Sequence, residues 1–381
     1  MGDPMPLTIR EVHGPDELEQ FMGLPDLLHS GKPNYVPPVT FWLKRRLAPT
    51  NAVFEDARMK LFAAWRDGQI VGRISALIDR RHNEHRDEKL AWFGFFECVD
   101  DQQVANALFA RASAQGLEWG ADTLRGQRNL TRLEDPGITV EGYDSLPPML
   151  AAYHPPYYRT LFETAGFAKH HDVIAYEIPL FGPDGTPTPL PEKLAAKAKA
   201  CNIDGLQVRS VQWLHVYRDL RHVYTVFDQA YRTVPDTAPI PWPQFLSLSL
   251  SFLVFANRHM VQLATVHGQP AGFVVCLPEV NEAMGALRGR VGPRSMFRFA
   301  RRLRHIRTAA FKLIGVMPDF RGTGLHAKLI ENTLEGVRRA GYERVDGSLI
   351  DERNGPMRAV VEGAGLEVYR RYRFFERPIE G

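Results

Sequence analysis

The clearest pattern of apolar and polar positions lies between residues 311 and 341. Phe311–Val316 is an apolar run that predicts a strand, and Pro318 ends it. Beyond a short polar turn, apolar residues recur at helical spacing, which predicts a helix with one buried face. That face consists of Leu325, Leu329, Thr333 and Val337. Gly341 follows the last periodic residue and is a typical helix stop, so the pattern predicts a strand, a turn and a helix.

The last part of the chain continues the alternation of strand and helix. Residues 344–350 predict a strand, and Asn354 is a suitable opening residue for a short helix over 355–362. The final strand is predicted over residues 367–377.

The turn between the first strand and helix contains Arg321, Gly322, Thr323 and Gly324. A strand, a glycine turn and a helix together aim backbone N–H groups at a phosphate, and glycine allows its close approach. The segment contains neither the G-x-x-x-x-G-K-[ST] of a P-loop nor the G-x-G-x-x-G of a dinucleotide site. Both of those nucleotide folds are therefore excluded.

This segment resembles motif A of the GNAT acyltransferase superfamily, which is V-x-P followed by R or Q-x-x-G-x-G or A. Here the motif is Val316-Met317-Pro318, then Arg321 and Gly324, with His326 where the family prefers glycine or alanine. The ending resembles the family's N-x-x-A-x-x-L-Y, with Asn354 in the first position. Val361 occupies the position of the tyrosine that protonates the leaving thiolate in the family.

The resemblance implies acyl transfer from a CoA thioester, in the first place acetyl-CoA or another acyl-CoA, to an amine of a small-molecule acceptor. A backbone N–H near Gly315-Val316 would polarise the thioester carbonyl. The implied cofactor-binding residues are Gly315, Val316, Arg321, Gly322, Thr323, Gly324, Leu325, His326 and Asn354. The candidate bases are Asp351, Glu352 and Asp346, which flank the predicted fifth strand, and spacing does not single out one of them. Asn354 would orient a water molecule or the cofactor, and Tyr369 or Tyr372 would replace the missing acid.

The chain also repeats itself at a period near 200 residues. LTIREV at Leu7 matches LQVRSV at Leu206, 199 residues later, and DGQIVGRISAL matches HGQPAGFVVCL at an offset of 200. We therefore expect an α/β (α+β) chain of two tandem GNAT-like modules, each with a mixed, mostly antiparallel twisted sheet flanked by helices. The predicted domains are a degenerate module over 1–180, a proline-rich linker and short helix over 181–205, and a CoA-binding module over 206–381.

The two copies differ at the position of the glycine turn. Alignment on the helix places Asp100-Asp101-Gln102-Gln103 opposite that turn in the first copy. Two carboxylates repel a pyrophosphate, and they are better suited to capping the helix. We therefore expect CoA to bind only the second copy.

Bulk properties narrow the function classes. The 381-residue chain has 44% apolar residues and a net charge of +3, which is too small to indicate DNA binding. Three cysteines without a C-x-x-C, and a start without an apolar signal core, favour a reducing compartment, the cytoplasm. The histidines show no metal-binding spacing, so we expect no catalytic metal.

Two further segments are candidates for binding. Tyr231 and Trp242 lie in a proline-rich loop that would line the acceptor site. Residues 288–307 form a basic amphipathic segment that is open to three interpretations: a solvated helix, a clamp for CoA phosphates or an anionic substrate, or a contact with a membrane surface or RNA. Its arginines are Arg288, Arg290, Arg294, Arg298, Arg301, Arg302, Arg304 and Arg307.

Two alternatives to an acyl-CoA-dependent N-acyltransferase stay open. His326 and Val361 depart from the family's motifs, and these departures favour a non-catalytic acyl-CoA-binding or interaction module. The arginine segment favours an aminoacyl or peptidyl transferase of the tandem-GNAT type, whereas the intact glycine turn disfavours it.

Overall fold

The structure, a computed structural model, describes residues 6–131, 134–232, 234–289 and 291–380. Arg290 of the arginine segment lies outside the described residues. Within the described ranges, no helix combines the length and the apolar character that crossing a membrane requires.

The strands and helices follow one another along the whole chain. The strands are β1 Thr8–Glu11, β2 Ala57–Arg66, β3 Gln69–Asp79, β4 Leu90–Cys98, β5 Thr123–Gly126, β6 Ile138–Glu141, β7 Ala168–Pro179, β8 Leu206–Ser210, β9 Val261–Val266, β10 Gln269–Pro278, β11 Thr308–Val316, β12 Arg344–Asp351 and β13 Val368–Pro378. The helices are α1 Gly14–His29, α2 Thr40–Arg46, α3 Arg80–Arg86, α4 Gln102–Glu118, α5 Tyr157–Thr164, α6 Glu192–Ala200, α7 Val216–Tyr231, α8 Trp242–Leu253, α9 Asn281–Met284, α10 Pro293–Leu303, α11 Leu325–Arg339 and α12 Gly355–Glu362.

The chain forms two compact units that do not follow chain order. The first unit comprises the described residues of Met1–Val173, Asn281–Arg302 and Arg370–Gly381. The second unit comprises Ile174–Val280 and Leu303–Tyr369. The predicted boundaries, by contrast, are contiguous, because a repeat in the sequence does not reveal which sheet its last strand joins.

The two units repeat one strand order. In the first unit the order is β1-β2-β3-β4-β5-β13, and in the second it is β8-β9-β10-β11-β12 followed by the last part of β7. Neighbouring strands run antiparallel from β1 to β4 and from β8 to β11, whereas β4–β5 and β11–β12 are parallel. Each unit is thus a mixed, mostly antiparallel sheet, as predicted.

Equivalent glycines show that the copies also share their packing. A Cβ on Gly72 would lie 2.8 Å from Cδ1 of Leu108, and a Cβ on Gly272 would lie 2.8 Å from Cδ1 of Leu329. In both units the helix that follows the fourth strand therefore packs directly on a glycine of the third strand. This contact explains why these two glycines recur at the same place in the repeat.

Each unit has its own apolar core. Aromatic rings fill the first core, where the rings of Phe96 and Phe109 stack at a centroid distance of 4.9 Å. Among the described residues, the buried clusters of the second unit include one that contains Phe227 and Phe273, one that contains Leu325 and one that contains Ile350.

Candidate functional site

The turn before α11 is open to solvent and has the geometry of an anion site. Arg321, Gly322 and Thr323 are exposed, and Gly324 precedes the helix with φ +85° and no side-chain cap. A Cβ on Gly322 would meet no atom within 4 Å. Because the first N–H groups of a helix lack partners within it, this helix start has donors and a positive dipole end available for a phosphate.

Gly324 has a second role that the sequence pattern did not predict. A Cβ at this position would collide with the carbonyl oxygen of Lys197 and lie 3.3 Å from Cβ of Cys201. Gly324 therefore allows α6 to pack against the turn, whereas the space around Gly322 is open. Burial and the charge of Lys197 lower the pKa of His326, which favours a neutral imidazole beside the turn.

The end of β11 lies beside the end of α7. Gly315 pairs with Phe273 of β10, and a Cβ on Gly315 would lie 2.6 Å from Cε1 of that ring. The hydroxyl of Tyr231 donates to the carbonyl oxygen of Ile314 at 3.2 Å. Arg321 donates to the carbonyl oxygen of Ala230 at 3.3 Å. Tyr231, the end of β11 and Arg321 therefore lie close together.

Asp351 and Asn354 both make local structural contacts at the end of β12. The buried Asp351 accepts from Nε of Arg353 at 3.0 Å and from Nη2 at 2.7 Å, and Arg353 also donates to Asp236 at 2.5 Å. Burial alone would lower the pKa of Arg353, but the hydrogen bonds to Asp351 and Asp236 outweigh burial and raise that pKa. Asn354 caps α12 by accepting from the Met357 N–H at 3.3 Å. The catalytic roles of both residues stay predictions.

The two candidate tyrosines belong to different units. Tyr369 lies in the second unit, and its hydroxyl donates to Oδ1 of the buried Asp346 at 3.0 Å. Tyr372 belongs to the first unit and is fully buried. The sequence grouped them because they are three residues apart in one strand, whereas the boundary between the units falls between them.

The remaining predicted positions pack in the second unit. Trp242 lies against Tyr224, with ring centroids 5.3 Å apart, and the guanidinium of Arg221 lies 3.9 Å from its ring centroid. Val361, in the position of the family's tyrosine, is buried in a cluster with Ile174 and Tyr176.

The first copy closes the equivalent helix start. Asp101 accepts from the Gln103 N–H at 2.8 Å and from the Val104 N–H at 3.3 Å, and it also accepts from Arg66 at 2.8 Å. The hydrogen bond from Arg66 is the main reason why the pKa of Asp101 is lowered. The predicted cap is therefore observed, and an ionised carboxylate occupies the place where an anion would bind.

Beside this helix start lies a buried charged cluster, which we call the Glu97 centre: Glu97, His29, Arg73 and Tyr158. Glu97 Oε2 lies 2.8 Å from Nε2 of His29 and accepts from the hydroxyl of Tyr158 at 2.7 Å, and Oε1 lies 3.7 Å from Nη2 of Arg73. Burial alone would raise the pKa of Glu97, but His29 and Arg73 outweigh it and lower that pKa. The Tyr158 hydroxyl also accepts the N–H of Cys98 at 3.0 Å.

The sequence patterns above did not predict the Glu97 centre, although the sequence contains a signal for it. Glu97 is the charged residue in β4, whose sequence LAWFGFFEC is otherwise apolar or glycine and buried throughout. A carboxylate in such a run must be paired, because an isolated buried charge is very costly. His29 gives a weaker signal, since it only ends an amphipathic helix.

Known proteins share this architecture. No protein-family model matches the chain. A tandem GNAT protein of the clavulanic acid biosynthesis pathway superposes with a TM-score of 0.57 over 99% of both chains, at 17% identity. A GCN5-related N-acetyltransferase from Sphaerobacter thermophilus gives 0.50 over 98% of this chain and 96% of its own, at 15% identity. The chain has the tandem GNAT fold.

Two curated relatives extend over nearly the full length of this tandem GNAT chain. Protein YghO of Escherichia coli K12 is 26% identical over 377 residues, which is 97% of this chain and 95% of the relative. The bacterial ceramide synthase of Caulobacter vibrioides is 29% identical over 381 aligned positions, which is 98% of each. The fold and the second of these relatives support acyl transfer in general.

Proposed function

We propose that the chain is an N-acyltransferase that takes an acyl group from a CoA thioester at the turn Arg321–Gly324. The observation that carries this proposal is the exposed turn at Gly322, which leads into the uncapped start of α11 beside the end of β11. The N–H groups of the turn would bind the pyrophosphate, and the end of β11 near Gly315 would receive the thioester. The closed helix start at Asp101 supports a single donor site per chain.

The proposed acceptor is a long-chain amino alcohol, and the proposed acyl group is a fatty acyl chain. This part rests on the relative described as a ceramide synthase, since a ceramide is the amide of a fatty acid and such an amine. The apolar rings at the α7–α8 end of the second unit, including Tyr231 and Trp242, suit an acceptor with a hydrocarbon chain.

The proposed reaction is direct attack of the neutral amine on the thioester carbonyl. The C–N bond forms, the carbonyl oxygen takes negative charge near the N–H groups of the β11 end, and the C–S bond then breaks. The amine proton passes to a base or to water, and the thiolate takes up a proton. We propose the hydroxyl of Tyr369 as that proton donor, with Asp346 holding its orientation.

The donor site is tested by a pair of variants at one exposed position. Gly322→Asp and Gly322→Asn both tolerate a positive φ, and they differ in charge alone. We expect calorimetry with CoA to give one site per chain, and Gly322→Asp to bind at least about tenfold more weakly than Gly322→Asn because of repulsion. Equal affinities, or two equivalent sites, would contradict the proposal.

The acceptor is tested by release of free thiol from acyl-CoAs of increasing chain length. The panel of amines would include a long-chain amino alcohol, a short amino alcohol of the same head group, and amino acids. We expect turnover to require a long chain on the amine. Turnover with short amines alone would retain the acyltransferase and reject the lipid acceptor.

A second candidate is a module that binds acyl-CoA without turnover. The contacts of Asp351 with Arg353 and the capping role of Asn354 favour it, because both side chains already have structural partners. Tight CoA binding without turnover for any acceptor would select this candidate.

A further inference from the structure

Two helices of the first unit, α10 and α2, each present an exposed phenylalanine ring beside basic side chains, and neither helix contains an Asp or Glu. We call their exposed faces together the basic–apolar surface. No Asp or Glu occurs between residues 288 and 307. A stretch of this length with so many arginines creates a positive field that neighbouring carboxylates of the same segment do not cancel.

One side of helix α10 is buried, and the other side is exposed to solvent. Phe299 is buried, whereas Phe297, two residues earlier, is 72% exposed and Met296 is 39% exposed. Four arginines continue the exposed face around the helix from Phe297. They are Arg294, Arg298, Arg301 and Arg302. An exposed ring flanked by long basic side chains is the pattern of a helix that lies in a lipid interface.

Helix α2 adds a second exposed ring to the same unit. The N–H of Thr40 donates to the carbonyl oxygen of Gly289 at 3.2 Å, which joins the start of α2 to the segment that leads into α10. A Cβ on Gly289 would lie 3.2 Å from the carbonyl oxygen of Pro38, so the contact is close. Phe41 of α2 is 61% exposed.

The last turn of α2 is basic as well. Lys44 and Arg45 are both exposed, and they follow Phe41 at helical spacing. Each of the two helices therefore presents one ring beside cationic side chains.

We infer that the basic–apolar surface binds the surface of an anionic lipid bilayer. Phe297 and Phe41 would enter the boundary between head groups and acyl chains, while the guanidinium groups contact lipid phosphates. RNA is less well matched, because the exposed face of α10 contains arginine, phenylalanine, methionine, alanine and proline. None of these except arginine offers the hydrogen bonds that read base edges. Membrane binding by this surface does not depend on acyl transfer by the second unit.

The test is sedimentation of the full chain with vesicles. Vesicles of phosphatidylcholine alone are compared with an equal mixture of phosphatidylcholine and phosphatidylglycerol. We expect the protein to sediment with the anionic vesicles and to be released as salt increases, because salt screens the charge attraction.

Variants separate the charged and apolar contributions. Arg298→Gln combined with Arg301→Gln should lower the partition coefficient by at least about tenfold, as expected for two basic residues near an anionic surface. Phe297→Ser should also weaken binding, and its effect should persist at high salt. The matched controls are Lys193→Gln with Lys199→Gln on the exposed face of α6, and Leu214→Ser, whose side chain is 95% exposed.

Several outcomes would overturn the inference. They are equal sedimentation with neutral and anionic vesicles, controls that lose as much binding as the α10 variants, or retention by RNA with no vesicle binding. Acyl transfer to a detergent-dispersed amine is measured in parallel. If that activity survives while vesicle binding is absent, the surface inference fails and the proposed function stands. Vesicle binding without any acyl transfer gives the reverse result.

Discussion

At the end of its fourth strand the first copy carries a charged pair, where the second copy carries a glycine and a phenyl ring. The strand register makes the positions equivalent: Glu97 lies opposite Arg73 in β3–β4, as Gly315 lies opposite Phe273 in β10–β11. Cys98, whose N–H donates to Tyr158, is likewise equivalent to Val316. The backbone donor that the second copy would offer to a thioester is therefore used internally in the first copy.

The helices at these positions also differ between the copies, both in the pair α1 and α7 and in the pair α4 and α11. His29 ends α1 and contacts the Glu97 carboxylate, whereas Tyr231 ends α7 and contacts a backbone carbonyl. Asp101 caps α4, whereas α11 begins without a cap after Gly324. The same fold thus has two different arrangements at the end of the fourth strand and the start of the following helix. The first copy uses side chains for internal contacts at its strand end and helix start, whereas in the second copy the strand end carries a glycine and α11 begins without a side-chain cap.

The largest effect should come from removing the charge of the Glu97 centre. Glu97→Gln leaves Arg73 buried without its carboxylate, and we expect a loss of about 3–5 kcal/mol in the free energy of unfolding. Denaturant unfolding measures it. Adding Arg73→Met should restore much of the loss, and CoA affinity should not change. A loss below about 1 kcal/mol would mean that the centre is not essential to the first unit.

A pH-dependent effect of intermediate size is expected from Asp135 in the first unit. Burial is the main reason why its pKa rises to about 7, although Gln127 and Arg73 oppose the rise. Because the folded pKa exceeds the ordinary value of about 3.9, the stabilising contribution is full below that value and is lost as pH rises through about 7.

We expect this group to remove about 2–3 kcal/mol of stability between about pH 5 and about pH 8. Asp135→Asn should remove that slope, measured as the difference in unfolding free energy between wild type and variant at each pH. The exposed Asp16→Asn is the control and should run parallel to wild type. A parallel Asp135→Asn curve would contradict the raised pKa.

The tyrosine pair compares the two units in catalysis. Tyr369→Phe should lower kcat about 100-fold, the low end for a general acid and equal to about 2.7 kcal/mol. Tyr372→Phe is the matched control, since its ring is buried in the first unit, and kcat should change little. Similar losses in both variants, or none in Tyr369→Phe, would remove Tyr369 from the proposed mechanism.

The smallest effect is expected at the closed helix start. Asp101→Ala should cost about 1 kcal/mol of stability through the lost cap. It should not create a second CoA site, because Tyr158 still engages the strand end. Calorimetry that then gave two sites per chain would show that the cap alone had separated the copies.

Local patterns predicted much of the second unit. The predicted helix over 355–362 is observed with those bounds, the strand predicted over 344–350 ends one residue later, and α11 covers Leu325–Arg339 as its periodicity indicates. These features depend on neighbours in sequence. The strand–turn–helix geometry of the candidate site was predictable for the same reason.

Features that depend on long-range packing could not be predicted from the sequence. The close contact of Lys197 with Gly324 joins segments more than 100 residues apart, and glycine spacing alone cannot distinguish it from space for a phosphate. The Glu97 centre joins α1, β3, β4 and α5, which no local pattern connects. Residues 281–302, which include most of the arginine segment, belong to the first unit, although they lie in the second copy of the repeat.

The place of β13 also affects the order of events during synthesis. Its residues from Arg370 onward pair with β5 and complete the sheet of the first unit. At about 5–20 residues per second, a ribosome needs roughly 10–40 s to make the stretch between Val173 and Arg370. During that interval one edge of β5 has no strand beside it, and unpaired strand edges promote association between chains. We therefore expect a nascent chain to expose this edge until its last residues emerge, and a fragment that ends at the linker to keep the edge exposed permanently.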